Sequence, residues 1–276
     1  MNTVKTVMLM TLLTLVLVGA GAALGGRGGA TFALLMAGIM NLGSYWFSDK
    51  VVIAMYRGQE VQSGPLFEVV ADLCQRNGLT MPKVYMLPQA TPNAFATGRN
   101  PEHAVVAATE GILSILSREE LMGVMAHELT HVQNRDILIG SIAATLAGAI
   151  SWLAYMAQWA MIFGGGRDDE DNNPLAMIAL MILGPIAALL VQSAISRSRE
   201  FAADAGGAKL CGNPHYLANA LGKLETSNRR MPMRQAKEAT AHMFIVNPLK
   251  GGGLSALFST HPPTAERIRR LEEMSA

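Results

Sequence analysis

Residues 127–131 read His-Glu-Leu-Thr-His, with two histidines four positions apart and a glutamate directly after the first. On a helix, residues at i and i+4 lie on one face, so both imidazoles can bind a single metal ion. His127 and His131 are therefore candidate ligands of one zinc ion per chain. Glu128 projects to one side of them, where it can take a proton from an attacking water. This spacing predicts the chemistry of a zinc peptidase.

The segment around this motif has the features of a helix. Ser117 and Glu120 are spaced as a capping box, which satisfies backbone N–H groups at a helix N-terminus. Apolar residues then recur at helical spacing, namely Leu121, Val124, Met125, Leu129 and Val132. The motif is therefore predicted to lie inside a helix, as a site built on positions i and i+4 requires.

Half of the 276 residues are hydrophobic and only 16% are charged, which is too apolar for an ordinary soluble domain. The apolar residues are concentrated in four runs, at 8–24, 30–47, 137–163 and 174–195. Crossing a bilayer core takes about 20 apolar residues, so we predict four transmembrane helices. A cleaved signal peptide is the alternative for the first run. An uncleaved hairpin with a turn at 25–29 is favoured, because a second apolar run follows closely.

The predicted helices divide the chain into four regions. A first transmembrane hairpin (1–48) and a second one (137–195) alternate with two parts of a catalytic domain (49–136 and 196–276). Short β-like runs before the motif helix predict a small sheet, so this domain is expected to be α+β. Basic residues flank the membrane ends on its side, namely Lys5, Lys50, Arg57, Arg135, Arg197 and Arg199. The positive-inside rule therefore places the domain in the cytoplasm.

Charge and cysteine content exclude other classes of protein. The net charge is +1, and neither a basic stripe nor a nucleic-acid motif is present, so nucleic acid is not an expected partner. The two cysteines, Cys74 and Cys211, lie in no C-x-x-C motif and do not suggest a disulfide framework. They fit a reducing compartment. The sequence leaves the oligomeric state open.

Glu200 is the best candidate for the third protein ligand that a catalytic zinc site usually has. If the membrane helices continue at 1.5 Å per residue, His131 lies about 9 Å and Glu200 about 8 Å above the membrane. Asp204 shares the face of Glu200 at i+4, where its carboxylate can accept the free N–H of a ligand histidine. The alternative for Glu200 is a solvated charge beside Arg197 and Arg199.

The H-E-L-T-H motif and the later S-R-x-x-E-F-x-A-D segment resemble those of the HtpX family of membrane zinc metallopeptidases. These are bacterial relatives of the CAAX prenyl endopeptidases. The resemblance covers essentially the whole chain, including His261-Pro262-Pro263. It implies a gluzincin-type site in which His127, His131 and Glu200 bind zinc. Glu128 would then be the base.

The resemblance also implies a location and a role. The chain is expected to be a multi-pass protein of the bacterial inner membrane, with a gluzincin-like zincin domain in the cytoplasm. Its expected partners are the lipid bilayer and misfolded or damaged membrane proteins, which it would cleave in quality control and stress response.

Two further elements are candidates for contact with the substrate. Asn93, Ala94 and Phe95 begin a run that resembles the family's substrate-binding strand. An edge strand there offers backbone N–H and C=O groups to an extended peptide, while an ordinary edge strand with Asn93 in a turn is the alternative. In the family, a histidine at the position of His261 lies near the active site, where it can donate to the tetrahedral oxyanion. A capping or packing role is the alternative for His261.

Two other functions fit part of this pattern. One is a specific processing protease like the prenyl-protein enzymes. Those enzymes enclose a large intramembrane chamber, and four transmembrane helices are few to surround one. A zinc-stabilised membrane scaffold without turnover needs no base, and its zinc site is usually closed. Because Glu128 follows the first histidine directly, a membrane-bound zinc endopeptidase is the predicted function.

Overall fold

The computed structural model describes residues 2–136, 197–230, 244–246 and 262–274. The helices are α1 (Asn2–Met55), α2 (Pro65–Asn77), α3 (Glu110–Ile115), α4 (Arg118–Gln133), α5 (197–211), α6 (Pro214–Arg230) and α7 (Thr264–Glu273). The strands are β1 (Gln59–Glu60), β2 (Lys83–Leu87), β3 (Ala94–Gly98) and β4 (Ala104–Thr109). The predicted second hairpin (137–195) and His261 lie outside the described residues.

Helix α1 is one continuous element by its hydrogen bonding, but its path is not straight. A Cβ on Gly29 would lie 2.1 Å from the carbonyl oxygen of Gly21. In a straight helix, residues eight positions apart are about 12 Å apart along the axis. Gly26 lies between them and has a φ of +54°, in the left-handed region that glycine adopts readily. The chain therefore doubles back within the glycine-rich segment 25–29.

Within the parts of the chain that are described, no helix combines the length and the sustained apolarity that a membrane crossing needs. The four transmembrane helices therefore stay a prediction.

The sheet has four strands in the order β1-β2-β4-β3. Strands β2 and β4 are parallel, while β1 pairs with β2 and β3 pairs with β4 in antiparallel fashion. All six residues of β4 are buried, as expected for an apolar strand covered on both faces. The sheet is therefore mixed, with β3 at one edge, and the predicted combination of helices with a small sheet is confirmed.

Helix α4 lies at the centre of the domain, packed against α2, β3 and α6. It begins with the predicted capping box: Ser117 N–H donates to the Glu120 carboxylate at 2.8 Å, and Ser117 Oγ accepts from Glu120 N–H at 3.2 Å. Twelve of its 16 residues are buried, so the helix is enclosed on nearly all sides. His127 and Glu128 are among them. Polar groups in such a place are costly unless they are paired or bind a metal.

Candidate active site

Three side chains from two helices meet at one point. The Nε2 atoms of His127 and His131 on α4 are 3.2 Å apart. Glu200 on α5 places Oε1 3.3 Å from His131 Nε2 and Oε2 3.6 Å from His127 Nε2. Ligand atoms placed tetrahedrally at 2.0–2.1 Å around zinc lie about 3.3 Å from one another. The side chains therefore fit a zinc ion, and the structure brings together the three ligands that the sequence predicts.

Two glycines allow α5 to pack so closely on α4 that Glu200 reaches the two histidines. A Cβ on Gly207 would lie 2.8 Å from the backbone nitrogen of His127. A Cβ on Gly206 would lie 2.4 Å from the side chain of Thr130. A larger residue at either position would push the two helices apart, and the carboxylate would move away from the histidines.

Asp204 lies beside the first histidine, as its spacing from Glu200 predicts. Its Oδ1 atom is 2.9 Å from His127 Nδ1. Burial tends to raise the pKa of Asp204, but the adjacent charge of Arg267 and the bonds to His127 and Arg267 lower it to about 2. An ionised Asp204 holds the proton of His127 on Nδ1 and leaves Nε2 free for the metal.

Arg267 on α7 is a site residue that sequence reasoning missed. Its side chain is buried and donates to both carboxylate oxygens of Asp204, at 2.7 and 2.9 Å. Nη1 lies 3.5 Å from Glu200 Oε2, and it also donates to the carbonyl of Ile245 at 2.8 Å. One sequence signal could have revealed this position. Arg267 precedes the apolar Leu271 by four residues, so it lies on the buried face of α7.

Asp136 is a second residue that was missed, and it contacts the other histidine. Its Oδ2 atom lies 3.3 Å from His131 Nδ1. Burial lowers the pKa of His131, but its bonds to Asp136 and Glu200 outweigh this effect and raise the pKa to about 10. A site that holds a proton so firmly favours positive charge, and a metal ion can take the place of that proton.

Glu128 is buried next to the metal-binding group. Burial raises its pKa, against the opposing influence of His127 and His131. A carboxylate whose pKa lies above its ordinary value is a better proton acceptor near neutral pH than a free one. These surroundings suit the predicted role of a general base.

The three residues predicted to bind substrate lie at the outer edge of the sheet, and all are buried. Asn93 Nδ2 donates to the carbonyl of Val246 at 2.9 Å. Ile245 N–H donates to the carbonyl of Ala94 at 3.0 Å. Phe95 is buried among aromatic side chains. A segment of the chain itself therefore lies along this edge.

Replacing Arg267 by alanine should lower the free energy of unfolding by about 3–5 kcal/mol, because Asp204 would remain buried without its charged partner. Chemical denaturation of the purified protein measures this loss. Arg269 is a matched control, since it is an exposed arginine on the same helix with surface ion pairs. Arg269→Ala should change the free energy by less than about 1 kcal/mol. Equal losses in the two variants would contradict a buried role for Arg267.

The fold and the site together define a metallopeptidase: a helix with the H-E-x-x-H motif lies beside a mixed sheet, and a second helix adds a carboxylate ligand. The chain belongs to peptidase family M48, whose sequence pattern matches residues 60–275.

Comparisons with known proteins agree with this assignment. The chain is 75% identical over 277 residues to the Protease HtpX homolog of Syntrophotalea carbinolica, covering 100% of this chain and 99% of the relative. It is 58% identical over 276 residues to the Protease HtpX homolog of Desulfatibacillum aliphaticivorans, covering 98% and 89%. The predicted resemblance to the HtpX family is therefore confirmed.

The crystal structure of S. mikatae Ste24p has a similar fold. It matches with a TM-score of 0.55 and 20% identity, over 87% of this chain and 57% of that one. The present chain thus spans less than two thirds of Ste24p, and at this identity the likeness concerns the fold alone.

Proposed function

We propose that the protein is a membrane-bound zinc endopeptidase that cleaves misfolded or damaged membrane proteins at the cytoplasmic face of the bacterial inner membrane. The observation that carries this proposal is the spacing of His127, His131 and Glu200, whose ligand atoms lie 3.2–3.6 Å apart. The buried Glu128 follows the first ligand directly, which favours catalysis over a structural metal site.

The residues of the site divide the chemical work. Zinc, when bound, supplies Lewis-acid polarisation of the scissile carbonyl and of the attacking water. Glu128 takes the proton of that water and passes it to the leaving amine. Asp204 and Asp136 hold the two imidazoles by their Nδ1 atoms, so the Nε2 atoms keep their direction.

The surface of α1 supports attachment to a membrane. Its large apolar side chains are exposed to an extent that is unusual for a surface in water, and they include Leu15, Phe32, Leu34, Leu35, Ile39, Leu42, Trp46 and Phe47. The guanidinium of Arg99 lies 4.3 Å from the centre of the Trp46 ring. Tryptophan is enriched at the membrane–water interface, at the level of the lipid headgroups. We propose that α1 forms the first transmembrane hairpin and that residues 137–195 form the second.

Substrate binding is proposed for the edge of β3. Asn93, Ala94 and Phe95 would pair with an extended peptide backbone, which suits a peptidase that recognises unfolded chains of varied sequence. His261 would donate a hydrogen bond to the oxyanion during attack.

The experiment that tests this function uses the full chain reconstituted in lipid vesicles with a membrane protein as substrate. One sample carries the folded substrate, and a second carries a destabilised variant of the same substrate. Mass spectrometry of new N-termini should map cuts in the destabilised variant, on the side of the catalytic domain, and few in the folded form. Equal cleavage of both forms would contradict a role in quality control. Binding without any cleavage would favour a scaffold.

A further inference from the structure

Segment 244–246 lies along the outer edge of β3. Ile245 N–H donates to the carbonyl of Ala94 at 3.0 Å. The side chain of Asn93 brackets Val246, because Nδ2 donates to its carbonyl at 2.9 Å and Oδ1 accepts from its N–H at 3.4 Å. The Asn93 amide thus makes the two contacts that a backbone unit of a neighbouring strand would make.

Aromatic side chains continue the same pairing. The ring of Phe244 packs edge-to-face on Phe95 and on Tyr56, with centroids 5.3 Å apart in both cases. Phe95 therefore lies opposite Phe244, just as Asn93 lies opposite Val246. Segment 244–246 therefore runs antiparallel to β3. A peptide that adds a strand to a sheet edge can have the same arrangement.

Arg267 connects the segment to the metal-binding group. Its Nη1 atom donates to the carbonyl of Ile245 at 2.8 Å, and its Nη2 atom lies 3.5 Å from His127 Nε2. The carbonyl of Ile245 is therefore separated from the metal ligands by a single guanidinium group. The segment therefore contacts the edge of β3 on one side and, through Arg267, the metal-binding group on the other.

The segment is held at the edge of β3 partly by side chains. In a regular antiparallel pair, Ala94 and Ile245 would exchange two backbone hydrogen bonds. Here Ala94 N–H donates instead to Asn93 Oδ1 at 3.1 Å, and the Ile245 carbonyl accepts from Arg267. The backbone N–H and C=O groups of Ile245 and Val246 therefore all have partners, and an incoming strand that pairs with Ala94 and Asn93 would bond the same groups of the β3 edge.

We propose that segment 244–246 occupies the substrate's place on β3 and that an extended apolar stretch of the substrate displaces it. This inference rests on the proposed function, which assigns the edge of β3 to substrate. The space over Tyr56 and Phe95, which Phe244 fills, fits a large apolar side chain of the substrate. The edge of β3 can pair only with a substrate whose backbone N–H and C=O groups are not already hydrogen-bonded, as in an unfolded chain. Competition with the segment therefore selects unfolded apolar polypeptides and disfavours polar ones.

Hydrogen exchange in the full, zinc-loaded chain tests the displacement. The Glu128→Gln variant is used so that peptide stays bound without being cut. The probe is a synthetic peptide with Phe-Ile-Val at its centre, and the matched control peptide carries Ser-Gly-Ser there. With the probe, exchange in fragments that contain 244–246 should rise at least tenfold, while β3 remains protected. The control peptide should cause less than a twofold change.

Two outcomes of this experiment have different meanings. If the unsubstituted enzyme cleaves the Phe-Ile-Val peptide while 244–246 keeps its protection in the variant, the displacement is overturned and the proposed function stands. If the unsubstituted enzyme fails to cleave any unfolded peptide, the proposed function itself is overturned, and the inference with it.

An Ile245→Pro variant provides a second readout. It removes the N–H that donates to Ala94, so kcat/KM for the Phe-Ile-Val peptide should rise about fivefold, the factor that corresponds to one net hydrogen bond. Ile245→Val keeps the N–H and should raise kcat/KM by less than twofold. A fall in kcat/KM for Ile245→Pro at an unchanged melting temperature would identify 244–246 as a permanent strand. If the proline variant does not fold, the exchange experiment still decides the question.

Discussion

Replacing Glu128 by glutamine should lower the rate of peptide cleavage by about 10²–10⁴-fold, the contribution typical of a general acid–base group. Glutamine keeps nearly the shape of glutamate but cannot take the proton of the attacking water. Glu128 is not one of the three side chains that form the metal-binding group, so close to one zinc ion per chain should remain. Elemental analysis and the cleavage rate of an unfolded substrate, measured on the same preparation, test both statements.

Glu119 provides the control for this variant, since it is an exposed glutamate in the first turn of the same helix. Glu119→Gln should cleave at close to the rate of the unsubstituted enzyme. Cleavage by Glu128→Gln at that rate would contradict the assignment of the base. Loss of zinc from Glu128→Gln would instead show that the residue supports the metal site.

Removing zinc should lower the melting temperature by roughly 6–16 °C. An ion bound by His127, His131 and Glu200 would join α4 to α5, two helices from separate stretches of the chain, and would bind the folded form alone. At 100–1,000 times its dissociation constant, such a ligand stabilises the fold by about 3–4 kcal/mol. For a domain of this size, each kcal/mol corresponds to about 2–4 °C. Melting curves with and without a chelator measure the difference.

The Glu200→Ala variant separates this effect from a general action of the chelator. With one ligand missing, its melting temperature should be low already and should respond to chelator by less than about 3 °C. A chelator shift of the same size in the variant and in the unsubstituted protein would mean that the stabilising metal lies elsewhere.

The residues of the candidate metal site were predictable because their signals are local. The two histidines lie one helical turn apart, and the capping box at Ser117 indicates the start of the helix that contains them. Glu200 and Asp204 follow the same rule on α5. Helical periodicity fixes which side chains share a face, so two short motifs were enough to propose four residues that the structure brings together.

The contacts of Arg267 and Asp136 could not be predicted in the same way. Arg267 binds Asp204 across 63 positions of sequence, and no local pattern encodes that pairing. Asp136 lies close to His131 in sequence, but it reaches the ring through a turn beyond the end of α4. Arg135 has a φ of +56° there, an uncommon conformation for a residue other than glycine.

The pairing of the strands also could not be predicted from local sequence patterns. Its strands were expected from their β-like composition, but the parallel pairing of β2 with β4, which leaves β3 at the edge, depends on a crossover. The contact between Asn93 and Val246 spans 153 positions. Hydrophobic periodicity carries no information about such partners, so the occupied edge of β3 emerged only from the structure.

We propose that His127, His131 and Glu200 bind one ion between α4 and α5. Zinc stoichiometry and affinity of Glu200→Ala, compared with the exposed control Glu102→Ala, test this binding most directly. We expect about one zinc ion per chain in the unsubstituted protein and in the control. The affinity of Glu200→Ala should fall by at least about 100-fold, the upper end of what the loss of an outer-shell partner causes. Full zinc content at unchanged affinity in Glu200→Ala would contradict a role of Glu200 as a ligand.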